Sequence, residues 1–400
     1  MLAGNRLADR LMLDGNPPAP ADIWVHGASV GEIRSAATIL EALAARADLL
    51  VTANSETGRD TARAMGFAAH LAPLDVPQAL SRFLDHARPR AAVTLENELW
   101  PNRIAMLAAR GIPQVVLGAR MSARSAARWR YMPGLIRPML GRITALSAQS
   151  QSSEARLLRL GLRADALLPR LQLKLLGPAA ITPPPASGSR DKLVLAASTH
   201  EGEDAPILDA FLAARRVVPE LRLILAPRHP ARAGDIATLI AARGLSVARR
   251  SEGAEHPAPV LLADTLGEMD HWYRAAQICI TGGSLVARGG HTPWEPAAYG
   301  CAVLHGPHNA NFAEDYALFH AAGAARTIGL DAGAVLTALV REPGQARAMG
   351  ARGRALLRMR AGDPAPLIGA ILEAAGLDPA DLAPPPDDSD IERMTDEGSA

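Results

Sequence analysis

The sequence predicts an α/β protein with two Rossmann-like parallel-sheet domains that face each other across a cleft. Short apolar runs rich in β-branched residues alternate with longer segments of helical period along the whole chain, which is typical of parallel sheets covered by helices on both faces. The chain has 400 residues, of which 48% are hydrophobic and 21% are charged, enough to bury two cores. A Pro/Gly/Ser-rich segment without periodicity, residues 177–191, separates the two sets of runs.

The apolar runs predict the strands and the domain boundaries. The predicted strands are 23–27, 49–53, 91–96, 114–119 and 144–149 in the first half, and 193–198, 222–227, 260–264, 277–282 and 301–306 in the second. The predicted domains are residues 1–176 and 192–377, joined by the linker 177–191. Residues 378–400 are acidic and Pro-rich, and we expect them to be disordered.

Composition excludes several classes of protein. The formal net charge is +1, so nucleic acid is not expected as a partner. No run reaches the roughly 18–20 apolar residues that span a bilayer, and the N-terminal segment, interrupted by charged residues, is expected to be neither a signal peptide nor an anchor. Cys279 and Cys301 lie in apolar runs, which predicts two buried thiols in a reducing cytoplasm and no zinc site.

Glu32 follows the first predicted strand in the segment HGASVGEIRS, residues 26–35. We expect its carboxylate in the first turn of the next helix, at the carboxyl end of the strand, where open parallel sheets bind ligands. A helix-start carboxylate that interacts favourably with the helix dipole is the alternative interpretation.

Glu96 and Glu98 end the run 91–96 in the segment TLENELWPNR, residues 94–103. Because residues two apart in an extended segment point to the same side, we expect both carboxylates to face the cleft. Two carboxylates at the end of a buried strand are costly unless they meet a cation, a donor or a substrate. A role of Glu98 as an N-cap partner remains an alternative.

Residues 119–142 are rich in arginine, contain no acidic residue and include Trp129 and Tyr131. Such a basic and aromatic segment is typical of contact with phosphates at a membrane surface, with nucleic acid, or of a solvated helix face. The arginines are Arg120, Arg124, Arg128, Arg130, Arg137 and Arg142.

Three segments of the second half follow predicted strands and suit an anionic nucleotide. Arg228 and His229 follow the run 222–227 and could meet a phosphate or a base. Gly267 lies in DTLGEM, residues 264–269, where backbone N–H groups could face a ligand. The Gly-rich loop TGGSLVARGGHTPWEPAAYG, residues 281–300, leads into a helix whose N-terminus suits a phosphate, with Glu295 placed to accept from ribose hydroxyls. The loop matches neither GxGxxG nor the Walker pattern, which disfavours hydride transfer and ATP hydrolysis.

Taken together, these segments resemble the 3-deoxy-D-manno-octulosonic acid (Kdo) transferases, inverting glycosyltransferases of the GT-B fold that move Kdo from CMP-Kdo onto lipid A precursors. The resemblance covers roughly residues 22–316, in family order. Its motifs are WVHGASVGE (24–32), ENELWPN (96–102), ARMSARSA (119–126), STHEGE (198–203), LILAPRHP (223–230), DTLGEM (264–269), GGSLVARGGHTPWEPAAYG (282–300) and GPHNANF (306–312).

The resemblance implies a division of roles between the halves. The N-terminal domain would bind the acceptor and supply Glu32 as general base. One of the paired glutamates Glu96 and Glu98, together with Lys174, would stabilise the transition state. The C-terminal domain would bind CMP-Kdo. Its implied binding residues are Pro227, Arg228, His229, Leu266, Gly267, Glu268, Thr292, Pro293, Trp294 and Glu295.

The resemblance also implies the partners. These are CMP-Kdo, a lipid A precursor such as lipid IVA, and an anionic membrane surface contacted by residues 119–142, with the protein peripheral on the cytoplasmic face of the inner membrane. The cleft segments contain no Asp-x-Asp motif, so we expect no metal and no cofactor. The alternatives are another GT-B enzyme acting on a soluble nucleotide sugar, such as an epimerase or a hydrolase, a paralogue with a different ulosonic acid or acceptor, and a non-catalytic binding protein.

Overall fold

The computed structural model describes residues 7–13, 15–96, 98–253 and 258–379. The chain divides into two compact α/β units. Unit 1 runs to Gly177 and also contains the chain from Ala361 onward, whereas unit 2 comprises Pro178–Arg360. Each unit is built on one parallel sheet, which confirms the predicted fold class.

Unit 1 has a six-stranded parallel sheet with the order β3-β2-β1-β4-β5-β6. Its strands are β1 (Ile23–His26), β2 (Leu49–Ala53), β3 (Ala68–Leu71), β4 (Ala91–Leu95), β5 (Gln114–Ala119) and β6 (Ala145–Ala148). Its helices are α1 (Val30–Ser35), α2 (Ala37–Ala44), α3 (Glu56–Ala64), α4 (Pro77–Ala87), α5 (Pro101–Ala109), α6 (Ala123–Trp129), α7 (Pro133–Gly141), α8 (Gln151–Leu160) and α9 (Leu173–Ala180), which extends past the unit boundary.

Unit 2 has a seven-stranded parallel sheet with the order β13-β12-β11-β7-β8-β10-β9. Its strands are β7 (Leu193–Thr199), β8 (Arg222–Pro227), β9 (Val247–Arg249), β10 (Val260–Leu262), β11 (Ile278–Thr281), β12 (Ala302–His305) and β13 (Ala325–Thr327). Its helices are α10 (Gly188–Asp191), α11 (Asp204–Arg215), α12 (Ala233–Ala241), α13 (Met269–Ala275), α14 (Trp294–Ala298), α15 (Ala313–Ala321), α16 (Ala332–Arg341) and α17 (Pro343–Ala361). A last helix, α18 (Ala365–Ala374), follows.

The central strands are the continuous apolar runs of the sequence. Every residue of β1, β2 and β5 is buried, as expected for parallel strands that helices cover on both faces. Both cysteines are free and fully buried, as predicted. Among the described residues, no helix is both long enough and apolar enough to cross a bilayer.

The sequence missed three strands, β3, β9 and β13. Each has three or four residues, and each lies at an edge of its sheet. Edge strands are covered less completely, and β3 and β13 both expose residues. A short, half-exposed strand therefore lacks the apolar run that identified the central ones.

The predicted domain boundaries differ from those of the structure at two places. Helix α18 was assigned to the C-terminal domain 192–377, but it packs on α2, β4 and β5 of unit 1. Its apolar face is buried there through Leu367, Ile368, Ile371 and Leu372. The predicted linker 177–191 ends in α10, whose Arg190 and Asp191 are buried in unit 2. Of the predicted disordered tail, residues 380–400 lie outside the described residues.

Candidate active site

The candidate residues of each unit lie where the order of the strands reverses. In unit 1 the chain leaves β1 and β4, which are neighbours, toward opposite edges of the sheet, and Glu32 follows β1 while Glu96 and Glu98 follow β4. In unit 2 the corresponding neighbours are β7 and β11, and the Gly-rich loop follows β11. Open α/β sheets bind ligands at this switch point, beyond the carboxyl ends of the strands.

Hydrogen bonds with Ala28 and Ser29 hold the Glu32 side chain at the start of α1. Its Oε2 accepts a 2.7 Å hydrogen bond from the Ala28 backbone N–H, and its Oε1 accepts from Ser29 Oγ at 3.2 Å. The Glu32 N–H donates in return to Ser29 Oγ, the N-cap of the helix. These reciprocal bonds resemble a capping box, with the carboxylate bonded to the N–H of Ala28, the residue before the N-cap. The helix-start interpretation is therefore correct, and the Glu32 side chain nevertheless stays partly exposed.

Burial raises the pKa of Glu32 above its usual value, and the negative charges of Glu96 and Glu98 raise it further. The hydrogen bonds from Ala28 and Ser29 act in the opposite direction. The three carboxylates thus form one electrostatic group at the switch point of unit 1. A carboxylate whose pKa is raised in this way is a stronger base than an ordinary glutamate.

Glu98 is ionised and strongly bound. Its Oε2 accepts from Asn54 Nδ2 at 3.3 Å and from Trp100 Nε1, and it lies 3.5 Å from His26 Nε2. Together, the contact with His26 and the hydrogen bonds from Trp100 and Asn54 lower the pKa of Glu98 to about 2, against the opposing effect of burial. The structure thus places Glu98 beside Glu32 as a permanent negative charge, and the alternative N-cap role is not realised, because Trp100 is the N-cap of α5.

Glu96 does not continue the strand as predicted. Strand β4 ends at Leu95, and Glu96 has a φ of +56°, a left-handed conformation that is uncommon for a residue other than glycine. The expectation that Glu96 and Glu98 share an extended segment is therefore wrong. Backbone strain of this kind concentrates at functional sites, and here it lies at the end of a strand that enters the switch point.

Lys174 is an exposed residue in the first turn of α9. Its neighbour Leu173 packs against Gly118, near the carboxyl end of β5, and β5 pairs with β4, the strand that Glu96 directly follows. Lys174 therefore lies at the same edge of the sheet as the three carboxylates. Among the described residues, none forms a hydrogen bond or ion pair with its ammonium group.

The Gly-rich loop of unit 2 is organised around a buried carboxylate, Glu203. Its Oε2 accepts from the backbone N–H groups of His200 at 2.8 Å and Gly283 at 2.7 Å, and its Oε1 accepts from those of Ser284 at 2.9 Å and Leu285 at 2.8 Å. Three successive amides of the loop thus form an anion-binding nest that the protein's own side chain fills. Glu203 itself is fully buried.

This arrangement limits the part of the loop that can meet a phosphate. The backbone N–H groups at the start of the loop bind Glu203, so they are not available to a phosphate, which the sequence placed at the helix N-terminus after the loop. Gly282 is required for packing, because a Cβ there would lie 2.3 Å from the Ser198 carbonyl oxygen. The residues left to meet a nucleotide are those of the second half of the loop.

That second half carries the predicted residues Thr292–Glu295. The Trp294 N–H donates to Thr292 Oγ1 at 3.3 Å, and α14 begins at Trp294, one residue beyond Pro293. The Trp294 ring is buried against Phe319, whereas Glu295 is exposed and accepts from Tyr273 at 3.2 Å. Glu295 thus remains accessible to a ligand.

Imidazoles and guanidinium groups surround the same switch point. His200 Nε2 and His291 Nε2 lie 3.1 Å apart, and the His229 ring meets His200 edge-on at 6.0 Å. Burial lowers the pKa of His291, and the charge of Arg228 lowers it further. Arg228 and His229 are exposed beyond the end of β8, whose last residue Pro227 is buried. This cluster of imidazoles, with the Arg228 guanidinium beside it, is suited to bind an anionic ligand.

The predicted segment Leu266–Glu268 lies between β10 and α13. Leu266 is 77% exposed and Gly267 has a φ of +84°, so a turn presents the leucine to solvent. Glu268 is bound by Arg250 at 2.8 Å and by Thr265. Its carboxylate therefore shapes the turn.

The sequence interpretation missed His26, His200, Glu203 and His291 as members of these two groups. All four lie within motifs that it quoted. The available signal was position, because His26 is the last residue of β1 and the other three follow β7 or β11, strands that border the switch points. Among the described residues, no group of three or more His, Cys, Asp or Glu side chains is arranged to hold a metal ion.

Comparisons with known proteins identify the family. A family model for 3-deoxy-D-manno-octulosonic-acid transferase (kdotransferase) matches residues 5–175. The chain is 37% identical over 375 residues to 3-deoxy-D-manno-octulosonic acid transferase of Bordetella pertussis, with 86% of each protein covered. It is 33% identical over 336 residues to the protein of the same name from Haemophilus influenzae, with 77% of this chain and 76% of that one covered.

A solved structure supports the fold class. The chain is similar to UDP-GlcNAc 2-epimerase from Neisseria meningitidis, with a TM-score of 0.53 and 14% identity over 83% of this chain and 95% of that one. At this identity the likeness shows the fold alone. The sequence matches, by contrast, extend over most of both chains, and they show that this chain belongs to the 3-deoxy-D-manno-octulosonic acid transferase family of glycosyltransferases.

Proposed function

We propose that this protein transfers Kdo from CMP-Kdo to a sugar hydroxyl of a lipid A precursor, with inversion at the anomeric carbon. The acceptor oxygen forms a bond to the anomeric carbon, and the bond from that carbon to the phosphate oxygen breaks. The electron pair leaves with CMP, and the acceptor proton passes to a general base. The observation that carries the proposal is Glu32, a clamped and partly exposed carboxylate whose pKa is raised, at the switch point of unit 1.

Glu32 is the general base of this proposal. Its bond to the Ala28 N–H fixes the direction of the carboxylate, so little reorganisation is needed when the proton arrives. The ionised Glu98, together with Glu96, stabilises the positive charge that develops on the sugar ring in an oxocarbenium-like transition state. Lys174 supplies a positive charge at the same sheet edge for the carboxylate of Kdo.

The CMP group binds at the switch point of unit 2. Arg228, with His229 beside it, meets the phosphate beyond Pro227, and the exposed Glu295 accepts from the ribose hydroxyls. The turn at Leu266–Glu268 and the loop residues Thr292–Trp294 complete the nucleotide site. Because a leaving monophosphate can be neutralised by guanidinium and imidazole groups, transfer requires no divalent metal and no cofactor.

The reaction is tested by mass spectrometry of lipid IVA incubated with CMP-Kdo and the purified protein, with and without EDTA. We expect the lipid mass to increase by one or more Kdo residues, equally in both samples. Protein without CMP-Kdo is the control. Release of free Kdo without a modified lipid would instead indicate a hydrolase, and loss of the product in EDTA would contradict the metal-free mechanism.

We further propose that residues 119–142 bind the anionic surface of the inner membrane from the cytoplasmic side. All six arginines of this segment are exposed on or beside α6 and α7. Tyr131 is 87% exposed, and Met132 and Leu135 are 45% and 39% exposed at the same turn. Exposed aromatic and aliphatic groups among arginines suit the headgroup region of a bilayer.

Removing two of these charges should weaken binding to anionic vesicles. Each basic residue near such a surface contributes about 1 kcal/mol, so the double change Arg128→Gln and Arg130→Gln should reduce vesicle partitioning by roughly 30-fold. Co-sedimentation with phosphatidylglycerol-containing liposomes at low salt measures the effect. The control is Arg326→Gln with Arg341→Gln, two exposed arginines of unit 2, and equal binding of both double variants would contradict the assignment.

A further inference from the structure

A buried chain of polar groups in unit 1 ends at Glu98. Trp24 Nε1 donates to Thr52 Oγ1 at 2.8 Å, Thr52 Oγ1 lies 3.0 Å from His26 Nδ1, and His26 Nε2 lies 3.5 Å from Glu98 Oε2. Trp24, His26 and Thr52 are each at most 2% exposed. His26 is the last residue of β1 and pairs with Thr52 of β2 in register, so the sheet itself aligns this chain of groups.

The donors and acceptors that each side chain carries decide which atom donates each hydrogen bond in this chain of groups. An indole N–H can only donate, so Thr52 Oγ1 accepts from Trp24. The Thr52 hydroxyl hydrogen then needs an acceptor, because an unpaired buried donor is costly, and His26 Nδ1 lies within reach. Nδ1 therefore accepts, and the imidazole proton sits on Nε2, the nitrogen that lies 3.5 Å from Glu98 Oε2 and forms no closer hydrogen bond with the described residues.

Burial and nearby positive charge keep the His26 imidazole neutral. Burial, together with the charge of Arg103, lowers the pKa of His26 to about 4 against the opposing effect of Glu98. Arg10 and Asp75 line the same cavity of about 40 Å³ beside the ring. The contact is thus one between a neutral donor and an ionised carboxylate.

The donors around Glu98 all converge on one of its oxygens. Oε2 faces His26 and accepts from Asn54 and Trp100, whereas none of the described residues donates to Oε1. One oxygen is therefore immobilised and the other remains available to a ligand. A histidine that served packing alone would need neither a fixed tautomer nor a contact with this carboxylate.

We propose that His26, held as the Nε2–H tautomer by Thr52 and Trp24, is a positioning residue that fixes Glu98 with Oε1 facing the reacting sugar. The proposal rests on the proposed function, since it assigns a transfer role to Glu98. It predicts that His26 acts on the rate of transfer and leaves donor binding unchanged, because the CMP site belongs to unit 2.

The test compares two replacements of His26. His26→Leu removes the donor, and kcat for Kdo transfer should fall by roughly 10- to 100-fold, the loss expected for one hydrogen bond to a charged group, while KM for CMP-Kdo stays within about twofold. His26→Gln can place an amide N–H near the position of Nε2, and it should recover most of the lost kcat. Equal loss in both variants with lowered unfolding midpoints would show a purely structural role, and full activity of His26→Leu would overturn the proposal.

A second measurement examines the tautomer directly. The ¹⁵N chemical shifts of the His26 ring should report a protonated Nε2 and a bare Nδ1, and Thr52→Val should remove this preference while Thr52→Ser keeps it. A proton on Nδ1 in the parent protein would overturn the proposal. If the parent transfers no Kdo at all, the proposed function fails, and the NMR result still decides whether the tautomer is fixed.

Discussion

Glu32→Gln should lower kcat for Kdo transfer by about three orders of magnitude, within the range of roughly 10²- to 10⁴-fold that general-base catalysis contributes. The substitution removes the carboxylate but should preserve the hydrogen bonds that cap the helix. Glutamine also serves in capping boxes, so its amide oxygen can still accept from the Ala28 N–H that now binds Glu32 at 2.7 Å. The helix should therefore persist while the base is lost, and single-turnover kinetics would measure the difference.

Two controls separate this outcome from misfolding. CMP binding by the variant should equal that of the parent, because the proposed nucleotide site belongs to unit 2. Glu154→Gln changes another partly exposed glutamate in the first turn of a serine-capped helix of unit 1, and it should leave kcat unaltered. If Glu32→Gln retained activity, another group would have to accept the proton.

The pH dependence of the parent supplies an independent check. A general base works only when unprotonated, and kcat/KM reports the ionisation of the free enzyme, so kcat/KM should fall as the pH is lowered through the pKa of Glu32. Because burial and the neighbouring carboxylates raise that pKa, the acidic limb should lie above the usual range of a glutamate. An acidic limb in the ordinary range would contradict the role of these neighbours.

Glu203→Gln should destabilise unit 2 by about 3 kcal/mol or more, since a hydrogen bond to a charged group contributes about 1.5–3 kcal/mol and an unsatisfied buried donor costs about 1–3 kcal/mol. The glutamine NH₂ group must face two of the four backbone N–H groups that now bind the carboxylate. The loop should then lose its shape, and CMP should bind at least about tenfold more weakly.

Urea unfolding and calorimetric titration with CMP measure these two effects. Glu201→Gln is the matched control, because this glutamate is two residues away and exposed, and it should change neither quantity. Unaltered stability and CMP binding in Glu203→Gln would show that the loop holds its conformation without the buried carboxylate.

The sequence predicted those features that depend on local pattern. Central strands such as β1 and β5 were recognisable because both faces of a parallel sheet are buried, and the side chains after them were recognisable because ligands bind at strand ends. The positions of Glu32 and Arg228 follow from this rule alone. Their assigned roles depend further on the family resemblance.

Other features depend on residues that are distant in sequence. The partners of Glu203 in the loop are about eighty residues away, so no local pattern reveals that this carboxylate occupies the nest. The left-handed backbone of Glu96 overturns the expectation that Glu96 and Glu98 point to the same side. Side chains alternate between the two faces of a sheet only while the strand continues. The tautomer of His26 depends on Thr52, which a different strand supplies.

The path of the chain has a practical consequence for anyone who dissects this protein. Because α18 returns to pack on α2, β4 and β5, the polypeptide passes between the units at two places. A fragment that ends at residue 177 would expose the apolar surface of unit 1 that Leu367, Ile368, Ile371 and Leu372 now cover. The other fragment would contain α18 without the surface on which it packs. A stable fragment of unit 1 would instead need residues 361–379 joined back through a short artificial linker.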